Sequence, residues 1–146
     1  MQRAFNNAIT RFFIPAIDST YTKSMLELEK NYADNVFLMM GLYPTSVKDN
    51  YKEELAHVGK LLSERAFIAI GEIGIDLYWD KSTLKIQQDA FRHQIKLAKQ
   101  YKLPIVIHCR ESFDEIFEIL EEEKSDDLFG IFHCFTGTIE QAHKAI

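Results

Sequence analysis

Phe67-Ile68-Ala69-Ile70-Gly71-Glu72-Ile73-Gly74-Ile75-Asp76 sets an isoleucine-rich apolar run against a carboxylate held between two glycines. A run of this length and composition reads as a strand buried on both faces, which points to a parallel sheet. Residues two apart share a face of a strand, so Ile68, Ile70 and Glu72 are expected on one side and Phe67, Ala69 and Gly71 on the other. An acid on a core face is costly to desolvate unless it is protonated, meets a cation, or lies where the strand opens to solvent. The glycines remove side chains on either side of Glu72 and let a ligand or another backbone come close. The plainer reading is a strand-end acid that salt-bridges a lysine or caps a helix.

Working outward, the same design recurs. Arg11 to Ile17 is a short apolar run closed by Asp18-Ser19-Thr20, residue types that begin helices, and Tyr21, Met25, Leu28 and Tyr32 then form one helical stripe. Val36 to Met40 is the next strand, stopped by Gly41-Leu42-Tyr43-Pro44 and followed by a stripe of Tyr51, Leu55, Val58 and Leu62. Beyond Asp76, a helix carries Leu84, Gln88, Phe91, Ile95 and Ala98 and ends before Pro104. Leu103 to Arg110 is a further apolar strand with polar residues at its end. Ser112 with Glu115 reads as a capping box, opening a helix that buries Phe113, Ile116, Phe117 and Leu120. Leu128 to Gly137 gives the pattern once more, and a last helix, Ile139 to Ile146, shows no cap. Glu121-Glu122-Glu123-Lys124 reads as a solvated helix end.

Five strand–helix units in succession predict an α/β fold with a parallel sheet, wound into a barrel or into a doubly wound sheet. Strands starting near 12, 36, 67, 104 and 130 repeat about every 30 residues, the spacing of a TIM (β/α)8 barrel of which this chain would hold roughly five-eighths. A doubly wound sheet usually carries a glycine-rich phosphate loop after its first strand, and none is present. The 146 residues suit one domain, and 47% hydrophobic with 27% charged residues excludes extensive disorder. The longest apolar runs are strand-sized, so no membrane span is expected. The polar first ten residues hold no apolar h-region, and the expected location is cytoplasmic. A net charge of −5 argues against a broad basic nucleic-acid surface, though not against a site whose positive charge comes from metal. Cys109 and Cys134 show no CxxC spacing, and neither a disulfide framework nor a zinc knuckle is expected.

Glu72, His108 and His133 each close an apolar strand on the parity of Ile70, Val106 and Ile131. All three are therefore expected at the C-terminal face of the sheet, where parallel barrels keep their active sites. Two imidazoles and a carboxylate suit Zn, Mn or Ni, with Mg less natural because of the histidines. The competing reading is a pair of core histidines hydrogen-bonded to neighbours. Alternation sends both cysteines to the opposite face as packing residues, and His57, His93 and His143 fall on helix surfaces.

Gly71-Glu72-Ile73-Gly74-Ile75-Asp76, Pro104-Ile105-Val106-Ile107-His108-Cys109-Arg110 and His133-Cys134-Phe135-Thr136-Gly137, in this order and spacing, resemble the TatD family of metal-dependent deoxyribonucleases. Gln87, Phe91 and Gln94 on the intervening helix extend the match. The resemblance implies a TIM-barrel hydrolase of the amidohydrolase-like group that cleaves DNA, single strands or 3′ ends included, with two divalent metals. In that reading Glu72 matches the bridging acid, His108 and His133 match second-metal ligands, and Arg110 is placed to meet a substrate phosphate or else forms a surface salt bridge. The family's His-x-His motif on the first strand and its late Asp near a Ser-Pro are absent, and Tyr43 stands where the family commonly has His. The single domain 1–146 is accordingly expected to be a partial barrel, without the first strand and the last two. Two further readings stay open: a non-catalytic fragment with a partial metal site, and a barrel hydrolase acting on a small amide or ester. Open sheet edges predict an oligomer or aggregate.

Overall fold

The computed structural model describes residues 1–146. Five parallel strands, β1 (Phe12–Ile14), β2 (Val36–Leu38), β3 (Ile70–Asp76), β4 (Ile105–Arg110) and β5 (Gly130–Phe132), alternate with helices α2 (Thr22–Asn31), α3 (Tyr51–Glu64), α4 (Leu84–Tyr101), α5 (Phe113–Glu122) and α6 (Ile139–Lys144). A short helix, α1 (Gln2–Phe5), precedes β1. The strands lie side by side in chain order, β1 on β2 and β3 on β4 on β5. A bridge between Met40 and Ile70 joins the two groups, with Met40 N–H donating to Ala69 O and Gly71 N–H to Met40 O. A doubly wound sheet reverses its strand order at a switch point, and this one does not. The architecture is that of part of a (β/α) barrel.

One face of the sheet is covered and the other is open. Ile70, Ile73, Ile75, Ile105 and Ile107 pack with Leu55, Val58 and Leu62 of α3, Phe91, Ile95 and Ala98 of α4, and Ile116 and Ile119 of α5 in a single apolar cluster. Each fully buried isoleucine there contributes about 2–5 kcal/mol relative to alanine, so this face fixes the register of the sheet. On the other face Phe13 stacks on Phe37, yet Phe13 is 56% exposed and Ile131 60% exposed. A cleft of about 230 Å³ beside the free edge of β5 is lined by Ile105, Phe117, Leu128 and Ile131 together with the charged Glu121, Lys124 and Lys144.

The elements correct several sequence expectations. The β1 and β2 strands are shorter than the apolar runs 11–17 and 36–40 that contain them, and β3 begins at Ile70 rather than near the expected 67. The segment before it still tracks β2, with Ile68 N–H donating to Leu38 O. The unexpected α1 is held by an edge-on contact of Phe5 with Phe12 at 5.6 Å. The expected capping box at Ser112 does not form, because the buried Ser112 hydroxyl instead donates to Ile75 O at 2.7 Å. A capping box forms at α6, where Thr138 and Gln141 exchange hydrogen bonds between side chains and backbone. His93 and His143 are exposed as expected, whereas His57 is half-buried with Nε2 2.8 Å from the Thr22 hydroxyl.

Candidate active site

Glu72 reaches the open face by a route that simple alternation does not describe. Ile70 and Gly71 pair with Ile105 and Val106, Ile73 and Gly74 pair with Ile107 and His108, and Glu72 between them has no partner. One extra residue in a strand flips the parity of the residues after it. Ile70 therefore lies with Ile105 on the helix-packed face, not beside Glu72 as expected, while Gly71, Gly74 and Asp76 share a face with Val106, His108 and Arg110. Gly74 is required here: its φ is +134°, and a Cβ would overlap His108 O. The close neighbour that the glycines admit is thus strand β4.

On that face Glu72, buried at 8% exposure, places Oε1 2.6 Å from His133 Nδ1 and 4.0 Å from His108 Nδ1. The far nitrogen of His108, Nε2, lies 2.8 Å from Asp76 Oδ2, and Asp76 is 2% exposed. A carboxylate on Nε2 keeps the proton there and leaves the Nδ1 lone pair free to accept or ligate. The Tyr43 hydroxyl takes up that lone pair at 3.0 Å. Burial and the carboxylates of Glu72 and Asp76 push the Tyr43 phenol up to about 12, against an opposing pull from Arg110, so near neutral pH it is a donor. The three expected residues therefore meet, with Asp76 and Tyr43 joined to them. They meet as hydrogen-bonded pairs, and no three His, Cys, Asp or Glu groups surround a common point at coordination range.

Two buried glutamines of α4 hold this cluster in place. Gln87 accepts from Asp76 N–H at 2.8 Å and donates to Asp76 O at 3.0 Å, and Gln94 makes the same pair of bonds with Leu42, beside Tyr43. Each amide occupies backbone groups that would otherwise be buried without partners. Gln87→Ala is expected to cost about 1–3 kcal/mol in urea unfolding, with Gln100→Ala on the exposed side of the same helix near neutral. An equal effect of the two substitutions would show that the clamp carries no weight.

Arg110 does not form the surface salt bridge that was its alternative role. Its exposed guanidinium lies over the Tyr78 ring at 3.6 Å, with the Trp79 ring at 5.6 Å. Cys109 is half-buried against Ser112, and burial pushes its thiol up. Cys134 departs from expectation: it is exposed, with Sγ 3.6 Å from His133 Nε2. β5 ends at Phe132, and a φ of +48° at Cys134 turns the chain out of the alternation that would have packed it.

Comparison with known proteins agrees with this architecture. The chain is 36% identical, over its whole length and 57% of the relative, to the uncharacterized metal-dependent hydrolase YabD of Bacillus subtilis. It is 28% identical, over 94% of its length and 53% of the relative, to the 3'-5' ssDNA/RNA exonuclease TatD of Erwinia tasmaniensis. The crystal structure of YjjV, a TatD homologue from Escherichia coli, superposes with a TM-score of 0.89 and 31% identity, over 99% of this chain and 56% of that one. The chain thus spans a little over half the length of these relatives. The family model for TatD related DNase matches residues 1–146, and the chain belongs to that family.

Proposed function

We propose that Glu72, His108 and His133 hold a divalent metal ion, and that the longer barrel to which this chain corresponds uses two such ions to hydrolyse phosphodiester bonds of single-stranded nucleic acid. The observation that carries this is the convergence of His133 Nδ1 and His108 Nδ1 on one Glu72 oxygen, at 2.6 and 4.0 Å, with Asp76 fixing the His108 tautomer from behind. Imidazole nitrogen with carboxylate suits Zn, Mn or Ni better than Mg. The names of the relatives, a metal-dependent hydrolase and an ssDNA/RNA exonuclease, support the same reading. The exposed apolar face and the free edge of β5 support a barrel completed by strands beyond the five described.

When bound, divalent metal supplies Lewis acidity toward a phosphoryl oxygen and generates a nucleophile from water near neutral pH. The chain's own residues do the rest. Glu72 and the two imidazoles bind, and Asp76 orients His108. Arg110 brings a permanent positive charge that meets the phosphate backbone. Tyr43 hydrogen-bonds the same nitrogen that would ligate, so it competes with the ion. Tyr43→Phe is expected to tighten Zn or Mn binding by roughly 3–10-fold in calorimetric titration, the worth of one hydrogen bond. Unchanged or weaker binding would show that the phenol is not in competition.

The function itself is tested with the full-length protein, assayed on single-stranded DNA and on small amides and esters, with each metal and with chelator. Metal-dependent cleavage of DNA is the expected result. Turnover confined to an amide or ester would transfer the site to the other hydrolase class.

A further inference from the structure

Beside the candidate metal site the chain exposes two large aromatic side chains in succession, Tyr78 at 48% and Trp79 at 71% exposure, with their rings 4.8 Å apart and nearly perpendicular. Burying such rings is favourable, so leaving both in solvent calls for a reason. Their backbone is not loose: Tyr78 N–H and Trp79 N–H both donate to Asp76 Oδ1, at 3.0 and 3.4 Å. The other oxygen of that buried carboxylate holds His108. One acid therefore fixes the imidazole and the aromatic turn together.

Arg110 completes the patch, its guanidinium over the Tyr78 ring and its charge reaching into the site as far as Tyr43. Lys81 lies just beyond, paired with Glu111 at 3.8 Å. Flat apolar rings around an unneutralised guanidinium match a ligand that is planar on one side and anionic on the other. A lipid surface or an amphipathic protein segment would ask for a wider apolar area than two rings.

We propose that Tyr78, Trp79 and Arg110 form a platform for a single-stranded nucleic acid, on which a nucleobase stacks while its phosphate meets Arg110. This rests on the nuclease reading, and it names the part of the substrate that the site grips. Stacking requires an unpaired base, so the platform selects single strands and ends over duplex. It tolerates any base, because every base has a π face.

Trp79 is the only tryptophan in the chain, which makes its fluorescence a direct report. The 146-residue chain is titrated in chelator with an eight-nucleotide thymidine strand, with an abasic strand of equal phosphate count, and with duplex, and binding is followed separately by anisotropy of a labelled strand. The expected result is saturable quenching by the thymidine strand alone. Trp79→Ala should weaken binding by roughly 10–100-fold and Trp79→Phe should largely restore it. Trp79 is solvent-facing, so both variants should fold, which far-UV circular dichroism checks. Equal binding of thymidine and abasic strands with no change at Trp79 would overturn the platform and leave the nuclease reading intact. Failure of every strand to bind, with no DNA cleavage by the full-length protein, would remove both. Trp79 emission that follows protein concentration and ignores the strands would assign the patch to a second copy of the chain.

Discussion

Gly74→Ala is expected to abolish cooperative folding. A methyl group at this position would overlap His108 O and stand 3.1 Å from His108 C, both backbone atoms of the neighbouring strand, and the φ of +134° excludes side chains in its own right. Neither neighbour can swing aside without separating β3 from β4. The combined overlap and backbone strain amount to about 4 kcal/mol or more, a large share of the stability of a domain this size. Gly59→Ala is the matched control, since it lies within helix α3 and nothing stands within 4 Å of its added Cβ. That substitution should stabilise by about 0.5–1 kcal/mol. Thermal melts followed by circular dichroism separate the cases, and a native-like transition for Gly74→Ala would mean that the strands do not approach as described.

The second large effect falls on chemistry. Glu72→Gln keeps the volume of the side chain and its capacity to hydrogen-bond His133, while removing the negative charge that a divalent ion would need. In the full-length protein kcat on single-stranded DNA is expected to fall by roughly a thousandfold or more, since the Lewis-acid contribution is worth several kcal/mol. The melting temperature should change little. Loss of turnover together with loss of fold would mark Glu72 as a structural residue, and full turnover would exclude it from the reaction.

How far each residue is legible in the sequence depends on the physics of its signal. His108 and His133 are legible because they close apolar runs, and alternation from Val106 and Ile131 places them on the right face. Glu72 is legible as a buried acid, yet its face is reached through an unpaired residue in β3 that period-two counting cannot show. Asp76 stands in the same stretch, four residues after Glu72, and its parity with Gly74 is the signal that could have tied it to His108. Counting apolar spacing along α4 runs the helical stripe through Gln88. The buried position is Gln87, which faces inward to serve a backbone that no sequence pattern displays. Tyr43 is recognisable as a departure from the family, and its bond to His108 is a contact across 65 residues. Long-range polar contacts of this kind depend on geometry that only the folded chain supplies.

The most direct measurement is anomalous diffraction at the zinc absorption edge from crystals of the protein soaked in zinc. The expected result is a peak bounded by Glu72 Oε1 and the Nδ1 atoms of His108 and His133, with metal–nitrogen distances near about 2.0–2.1 Å and the Tyr43 hydroxyl displaced from His108. A peak held by other side chains, or none at saturating zinc while Glu72 stays bonded to His133, would contradict the assignment of this cluster as the metal site.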